Sequence, residues 1–297
     1  MVSTSAQDAS KPQAPPDSRA GLVFVAVLTA TLKRRVDETL EPIKPSVGNA
    51  LGHLVSRVAT DVTESTSIRS CLVLAPHPDD ETLGCGVTMM RRVEGGASVR
   101  VVVATDGGKW PPEGDPVHNA AVRRAELREA TQLLGLADAA VTQLGFPDNG
   151  LVDAGESLVD AIADAVRSAR PADVLVTSEH DPHRDHAALG LAARHALSGT
   201  DTRLLVYPVW QWLRPGAWIR TLRSSGRPEA VRTEGFLSRK RAAIGVYRSQ
   251  VAPLSSDRWD EGLPSMFLRH FFGANEIFLP VSVDGSPKVT SRDGTGR

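Results

Sequence analysis

Short apolar runs alternate with amphipathic segments through the central part of this 297-residue chain. The runs are rich in valine and leucine, and they have the length and composition of buried strands. Between them, apolar residues recur three and four positions apart, which is typical of helices with one buried face. The alternation predicts a Rossmann-like α/β fold, that is, a doubly wound, mostly parallel sheet with helices on both faces. The predicted strands are Cys71–Ala75, Val99–Ala104, Ala140–Leu144, Asp173–Thr177 and Arg203–Tyr207.

The same pattern sets the expected domain boundaries. We predict helices from Leu83 to the Gly95-Gly96 pair and over 117–136, 157–169 and 185–197. A chain of this length could hold two domains, but the alternation indicates one α/β domain over 67–283. Residues 19–66 are expected to form a helical N-terminal extension. The polar segments 1–18 and 284–297 have the composition of disordered tails.

Charge and cysteine content narrow the partners and the compartment. The 34 Lys and Arg residues nearly balance the 35 Asp and Glu residues, so nucleic acid is not expected as a partner. The two cysteines, Cys71 and Cys85, are too few for a disulfide framework or a four-cysteine zinc site. This cysteine content favours a reducing compartment, and we expect a cytoplasmic protein. The apolar segment 20–32 is too short to span a bilayer but could rest on a membrane surface.

Histidine and acidic residues are concentrated directly after two of the predicted strands. The sequence APHPDDE occupies 75–81 and SEHDPHRDH occupies 178–186. Because the carboxyl ends of parallel strands meet at one edge of a sheet, we expect the two segments to lie close together. Neutral imidazole and carboxylate are preferred ligands of catalytic Zn²⁺, which keeps one position open for water. The sequence therefore indicates a metal site at this edge, with Zn²⁺ favoured over Mg²⁺.

The acidic residues of both segments also have a simpler structural explanation. Asp79, Asp80 and Glu81 could complement the N-terminal dipole of the helix that follows them. Asp185 could cap the next helix in the same way. The metal hypothesis therefore depends on finding His and Asp together at two strand ends rather than on any single residue.

Several segments resemble one protein family. The sequence APHPDDETLGCG at 75–86 resembles the signature of the LmbE/PIG-L family of zinc-dependent N-acetylglucosaminyl deacetylases. The sequence HRDH at 183–186 resembles the second motif of that family, which usually reads His-Pro-Asp-His. The resemblance runs in order over about 70–255 and leaves out residues 1–66. Further agreement is found at Arg123-x-x-Glu126, Phe146-Pro147-Asp148 and Lys240 through Tyr247-x-Ser249-Gln250.

The resemblance implies a role for each of seven residues. Asp79 would be the general base, and His183 would assist at the oxyanion. Arg123 and Asp148 match positions that contact the sugar. The implied metal ligands are His77, Asp80 and His186.

Two positions depart from the family pattern. Arg184 stands where the second motif usually has Pro, a change that removes no expected ligand. Asp181 lies two residues before His183, where some relatives carry a tyrosine. We therefore expect oxyanion stabilisation to depend more on His183 and on the metal.

The implied activity is the removal of an acetyl group from an N-acetylated amino sugar of the N-acetylglucosamine type, free or in a small glycoconjugate. Water activated by Zn²⁺, or by another divalent metal such as Fe²⁺, would be the nucleophile. Asp79 would take its proton and deliver it to the leaving amine. Two alternatives stay open, a metal-dependent phosphoesterase and a non-catalytic sugar-binding relative. For the phosphoesterase, the candidate phosphate-binding cations are Arg123, Arg124 and Arg184.

Tryptophans are frequent after the predicted strands at the same sheet edge. Aromatic faces stack on sugar rings, so one or two of these residues could form a saccharide platform. Packing within the loops is the more common use of a large indole. The residues concerned are Trp110, Trp210, Trp212 and Trp218.

Overall fold

The computed structural model describes residues 41–252 and 258–283. The predictions for 1–18, for the apolar segment 20–32 and for 284–297 lie outside the described residues. The chain divides into two units between Ile43 and Lys44. The described part of the first unit is the 3₁₀ helix Glu41–Ile43.

The second unit is built on an eight-stranded sheet. The strands are β1 Thr60–Asp61, β2 Cys71–Ala75, β3 Val99–Thr105, β4 Val141–Phe146, β5 Asp173–Thr177, β6 Arg203–Tyr207, β7 Glu229–Arg232 and β8 Asn275–Val281. Their order in the sheet is β1-β7-β8-β6-β5-β2-β3-β4. Neighbours from β6 through β4 run parallel, as does β1 with β7, whereas β8 is antiparallel to both β6 and β7. This sheet confirms the predicted doubly wound, mostly parallel α/β fold, and the predicted strands correspond to β2 through β6.

Helices connect the strands and cover the sheet. The α-helices are α1 Lys44–Val58, α2 Thr63–Thr66, α3 Asp80–Glu94, α4 Pro116–Leu133, α5 Leu151–Ala154, α6 Glu156–Ala169, α7 Arg184–Ala196, α8 Pro215–Ser224, α9 Leu237–Val246 and α10 Ser265–Leu268. The predicted helices correspond to α3, α4, α6 and α7. Four further 3₁₀ helices are Asp138–Ala140, Trp210–Leu213, Trp259–Glu261 and Arg269–Phe272. None of the helices in the described ranges has the length and apolar composition needed to cross a bilayer.

Part of the expected N-terminal extension belongs to the sheet unit. Helix α1 packs closely on the loop that follows β6, and this is possible because Gly48 and Gly52 have no side chains at the contact. A Cβ atom at Gly52 would lie 2.1 Å from the ring of Trp212, and one at Gly48 would lie 2.5 Å from the carbonyl oxygen of Trp212. Strand β1 then adds to the sheet beside β7.

A buried ion pair fastens β8 to two helices. Glu276 Oε1 accepts hydrogen bonds from the Lys240 ammonium at 2.7 Å and from the Val87 N–H at 2.8 Å. Its Oε2 accepts from the N–H and the hydroxyl of Thr88 at 2.7 and 2.6 Å. Both side chains of the ion pair are almost fully buried, so β8 is joined to α3 and to α9 by one fully satisfied carboxylate.

The strand order brings the two motif segments together. The chain passes from β2 to β3 and β4 on one side, and then to β5 and β6 on the other. Strands β2 and β5 are neighbours, paired from Cys71 with Asp173 to Val73 with Leu175. They therefore form the topological switch point, where α/β proteins open a crevice beyond the strand ends. The segments after β2 and β5 both begin at this crevice.

Candidate active site and metal centre

Asp79 lines the crevice in an unusual backbone conformation. Its φ is 133°, a region that residues with side chains rarely adopt. It occupies the N-cap position of α3, yet its side chain makes no capping hydrogen bond. Oδ2 lies instead 3.2 Å from the guanidinium of Arg123. The helix-cap explanation of Asp79 therefore does not account for its side chain.

A buried carboxylate stabilises this conformation of Asp79. Glu81 Oε2 accepts a hydrogen bond from the Asp79 N–H at 3.1 Å. The other oxygen of Glu81 accepts from the hydroxyls of Thr82 and Tyr247. Tyr247 comes from the end of α9, so a residue far away in the sequence helps to hold the backbone of Asp79.

The surroundings of Asp79 raise the pKa of its carboxyl group toward neutral pH. Burial raises the pKa of Asp79 to about 8, although the charge of Arg123 opposes this. The carboxylates of Asp80 and Glu81 add to the increase in the pKa of Asp79. A carboxyl group with a pKa near the working pH is well suited to accept a proton and then return it.

Asp80 lies between two imidazoles. Its Oδ2 is 3.3 Å from His77 Nδ1 and 3.3 Å from His186 Nε2. Ligands bonded to tetrahedral Zn²⁺ at about 2.0–2.2 Å lie roughly 3.3–3.5 Å from one another, so these spacings fit such an ion. Burial alone would raise the pKa of Asp80, but His186 and His77 hold it well below its usual range. Two imidazoles and an ionised carboxylate are a suitable donor set for a divalent metal.

Two further carboxylates orient the ring of His77. Its Nε2 lies 3.2 Å from Asp185 Oδ2 and 3.3 Å from Asp148 Oδ1. Asp185 is itself fixed by the N–H groups of Asn149 and Leu151, at 2.7 and 3.2 Å. Because both carboxylates can accept the Nε2 proton, Nδ1, on the side of Asp80, is the nitrogen that a neutral His77 would offer to a metal.

Two groups of three side chains in the described residues bring possible ligand atoms close to one another, and both differ from the predicted set of His77, Asp80 and His186. The residues His77, His183 and His186 each offer a ring nitrogen, and these atoms lie within 4.8 Å of one another. One ligand atom each from His77, Asp148 and Asp185 meets the same criterion. His77 is common to both groups.

His183 is neutral and has a defined tautomer. Burial, together with the neighbouring imidazoles of His186 and His77, lowers the pKa of His183 to about 4. Its Nδ1 accepts a hydrogen bond from the N–H of Asp185 at 3.3 Å. The proton of the neutral ring is therefore on Nε2, where it is available as a hydrogen-bond donor.

The two predicted sugar contacts, Arg123 and Asp148, both line the cavity above the imidazoles. Arg123 also donates to the carbonyl oxygens of Pro78 and Gly107 at 2.5 and 3.2 Å, so it braces the loop around Asp79. Asp148 accepts from the N–H of Lys109 at 3.1 Å. Of the three arginines considered for phosphate binding, only Arg123 lines this cavity.

The four tryptophans noted in the sequence separate into two pairs. Trp110 and Trp210 line the cavity. Trp212 and Trp218 are buried, and their rings pack edge to face with centroids 5.4 Å apart. The latter two are therefore core residues, and only Trp110 and Trp210 remain candidates for a saccharide platform.

Three residues near the site were not assigned to it from the sequence. Asp185 resembles a helix cap, but His183 takes the N-cap position of α7, and Asp185 contacts His77 across 108 positions of sequence. Glu81 likewise resembles a first-turn acidic residue. Trp259 lines the cavity from a loop that follows no predicted strand. Local sequence carries no signal for any of these tertiary contacts.

Comparison with known proteins identifies the family. The model of the PIG-L family, GlcNAc-PI de-N-acetylase, matches residues 72–197. A 1D-myo-inositol 2-acetamido-2-deoxy-alpha-D-glucopyranoside deacetylase from Geodermatophilus obscurus is 31% identical over 262 residues, covering 78% of this chain and 82% of that protein. The probable N-acetyl-alpha-D-glucosaminyl L-malate deacetylase 2 from Bacillus cereus is 28% identical over 201 residues, covering 64% of this chain and 87% of that protein.

A solved structure agrees in fold. The N,N'-diacetylchitobiose deacetylase from Pyrococcus horikoshii aligns with a TM-score of 0.58 and 21% sequence identity, over 73% of this chain and 86% of that one. The fold, the order of the motifs and the relative from Geodermatophilus obscurus lead to one conclusion. The chain belongs to the PIG-L (LmbE) family of deacetylases.

Proposed function

We propose that this protein is a zinc-dependent hydrolase that removes the acetyl group from an N-acetylated amino sugar of the N-acetylglucosamine type. The observation that carries the proposal is the meeting of His77 Nδ1 and His186 Nε2 at one oxygen of Asp80, 3.3 Å from each. Asp79 is adjacent to Asp80 in the chain and lines the same cavity. The relatives named above act on N-acetylated glucosamine derivatives, which is consistent with this substrate class.

The proposed metal ligands are His77, Asp80 and His186. We favour zinc because imidazole-rich donor sets suit it better than they suit magnesium. When bound, the ion would lower the pKa of water to about 7 and polarise the acetyl carbonyl. The remaining steps are assigned to side chains of this protein.

Asp79 accepts the proton of the attacking water and returns it to the nitrogen of the leaving amine. Arg123 keeps the carboxylate of Asp79 in place through the contact at 3.2 Å. His183 donates a hydrogen bond from Nε2 to the oxyanion that develops on the acetyl group. The products are acetate and the free amino sugar.

The activity is tested by measuring acetate release from N-acetylglucosamine and a panel of its glycosides. We expect release that a chelator abolishes and that added Zn²⁺ restores. Phosphate release from generic phosphate esters is measured in parallel and is expected to be absent. Phosphate release without acetate release would favour the phosphoesterase alternative, and binding of the sugars without release of either product would favour a non-catalytic protein.

Asp181 supports a separate prediction about the metal site. Its Oδ1 lies 3.6 Å from His186 Nδ1, and that nitrogen has no hydrogen-bond partner in the described structure. A carboxylate behind a ligating imidazole fixes the ring and strengthens its bond to the metal. The Asp181→Asn substitution keeps an oxygen for the His183 N–H but removes the charge. We expect zinc affinity to fall about 10- to 100-fold in competition with a fluorescent chelator.

The matched control is His180→Asn in the same loop. His180 is half-buried and lies outside the group of imidazoles around Asp80. Its substitution is expected to leave zinc affinity unchanged. Equal affinities of the Asp181→Asn variant and the unmodified protein would remove Asp181 from the metal site.

A further inference from the structure

The cavity has an apolar surface in addition to its catalytic groups. Its volume is about 230 Å³. Pockets that enclose a drug-sized ligand measure about 300–1,000 Å³, so this cavity encloses little more than one sugar ring. The rest of a larger substrate must lie at the opening. The apolar residues that line the cavity include Val209, Trp210, Trp259, Leu263 and Phe267, which we call the aromatic wall.

The aromatic wall is continuous with the catalytic centre. The ring of His183 is stacked near Trp210, with centroids 6.4 Å apart and planes 24° apart. Trp210 is stacked on Phe267 at 4.9 Å and lies 5.6 Å from Trp259. A chain of rings therefore leads from the proposed oxyanion donor to the outside.

Trp259 is at the exposed end of this chain of rings. It is 40% exposed, whereas Phe267 behind it is buried. A partly exposed indole in the lining of a cavity offers its face to a bound molecule. Because Trp259 lines the cavity, a substrate that extends out of the cavity would contact it.

The chemistry of the aromatic wall restricts what can bind there. Its five side chains carry no hydrogen-bonding group except the two indole N–H groups of Trp210 and Trp259. A second sugar or a cyclitol could lay a C–H face on an indole, but its hydroxyl groups would find few hydrogen-bond partners among these five side chains. A flat or apolar group would be desolvated favourably and could stack on the indole rings.

We propose that the aromatic wall is an aglycone subsite and that the natural substrate carries an apolar, preferably aromatic, group on its N-acetylated amino sugar. This inference rests on the proposed deacetylase function and adds to it the chemical class of the aglycone. The amino sugar occupies the enclosed part of the cavity, and the aglycone extends along Trp210 to Trp259.

The experiment compares phenyl and methyl 2-acetamido-2-deoxyglucopyranosides of the same anomeric configuration, with acetate release as the readout. We expect kcat/KM for the phenyl glycoside to exceed that for the methyl glycoside by about tenfold. In Trp259→Ala, the ratio of the two kcat/KM values should fall to about one. Met266→Ala removes an exposed apolar side chain of α10 that is not among the cavity residues, and it should keep the ratio.

Each other result overturns the inference. Equal kcat/KM values for both glycosides would show that no apolar aglycone is recognised. An equal loss for both glycosides in Trp259→Ala would mean that the indole only supports the loop. A preference for N-hexanoyl over N-acetyl substrates that Trp259→Ala abolishes would assign the aromatic wall to the acyl group. Acetate release from neither glycoside would overturn the proposed function itself, which is a different result from release without preference.

Discussion

Replacing Asp79 by Asn is expected to lower kcat by about 10²- to 10⁴-fold while the bound metal is retained. The amide has the shape of the carboxylate but cannot accept the proton of the attacking water. The hydrogen bond from Asp79 to the Glu81 carboxylate uses only the backbone N–H of Asp79, so the substitution leaves that contact in place. Acetate release gives kcat, and atomic absorption on the same preparation gives the metal content.

Two further variants separate the base from the ligands. His77→Ala and His186→Ala each remove an imidazole that contacts Asp80, and both are expected to lose metal and activity together. Undiminished turnover in Asp79→Asn would assign proton transfer to another residue. Loss of metal from Asp79→Asn would instead place Asp79 among the ligands.

Replacing Glu276 by Ala is expected to lower the free energy of unfolding by about 3–5 kcal/mol. The substitution leaves the buried ammonium of Lys240 without its carboxylate and removes the acceptor of the Val87 and Thr88 N–H groups. An unpaired charge in the core is costly because the interior does not replace its solvation. Urea denaturation followed by circular dichroism measures the change.

An exposed ion pair in the same region provides the control. Glu94 lies 3.0 Å from Arg239, and the two side chains are 51% and 43% exposed. Because solvent screens such a pair, Glu94→Ala is expected to cost less than about 1 kcal/mol. A similar small loss in Glu276→Ala would mean that water or a rearranged side chain replaces the buried carboxylate.

The sequence predicts the half of the sheet from β6 to β4 better than the half formed by β1, β7 and β8. Strands β2, β3, β5 and β6 are largely buried runs of apolar residues, and their composition makes them recognisable. Strand β4 lies at the edge of the sheet and is only partly buried. Strand β8 is internal, but it carries Glu276 and Pro280, which are uncommon in central strands. The carboxylate is acceptable there only because Lys240 and α3 satisfy it. That compensation comes from distant residues and is invisible in a local window.

The same distinction applies to the site. The motif segments could be placed at one sheet edge because parallel strands share that edge. The contact of His77 with Asp185 joins the loops after β2 and β5, so only the folded chain shows it. Trp212 follows a strand just as Trp210 does, yet α1 covers it. Position after a strand predicts proximity to the site, but it does not predict which side chains face the cavity.

The residues proposed for catalysis and several residues that can contact the substrate follow different strands of the sheet. The proposed ligands and the base come only from the segments after β2 and β5, at the middle of the sheet. Other residues that line the cavity follow different strands, among them Trp110 after β3, Asp148 after β4 and Trp210 after β6. Asp148 also orients the ring of His77, so the loop after β4 belongs to both tasks. The loop after β6 supplies neither a proposed ligand nor the base, so exchanging it should redirect the enzyme to a different molecule without dismantling its chemistry, which makes this loop the natural point for engineering its selectivity.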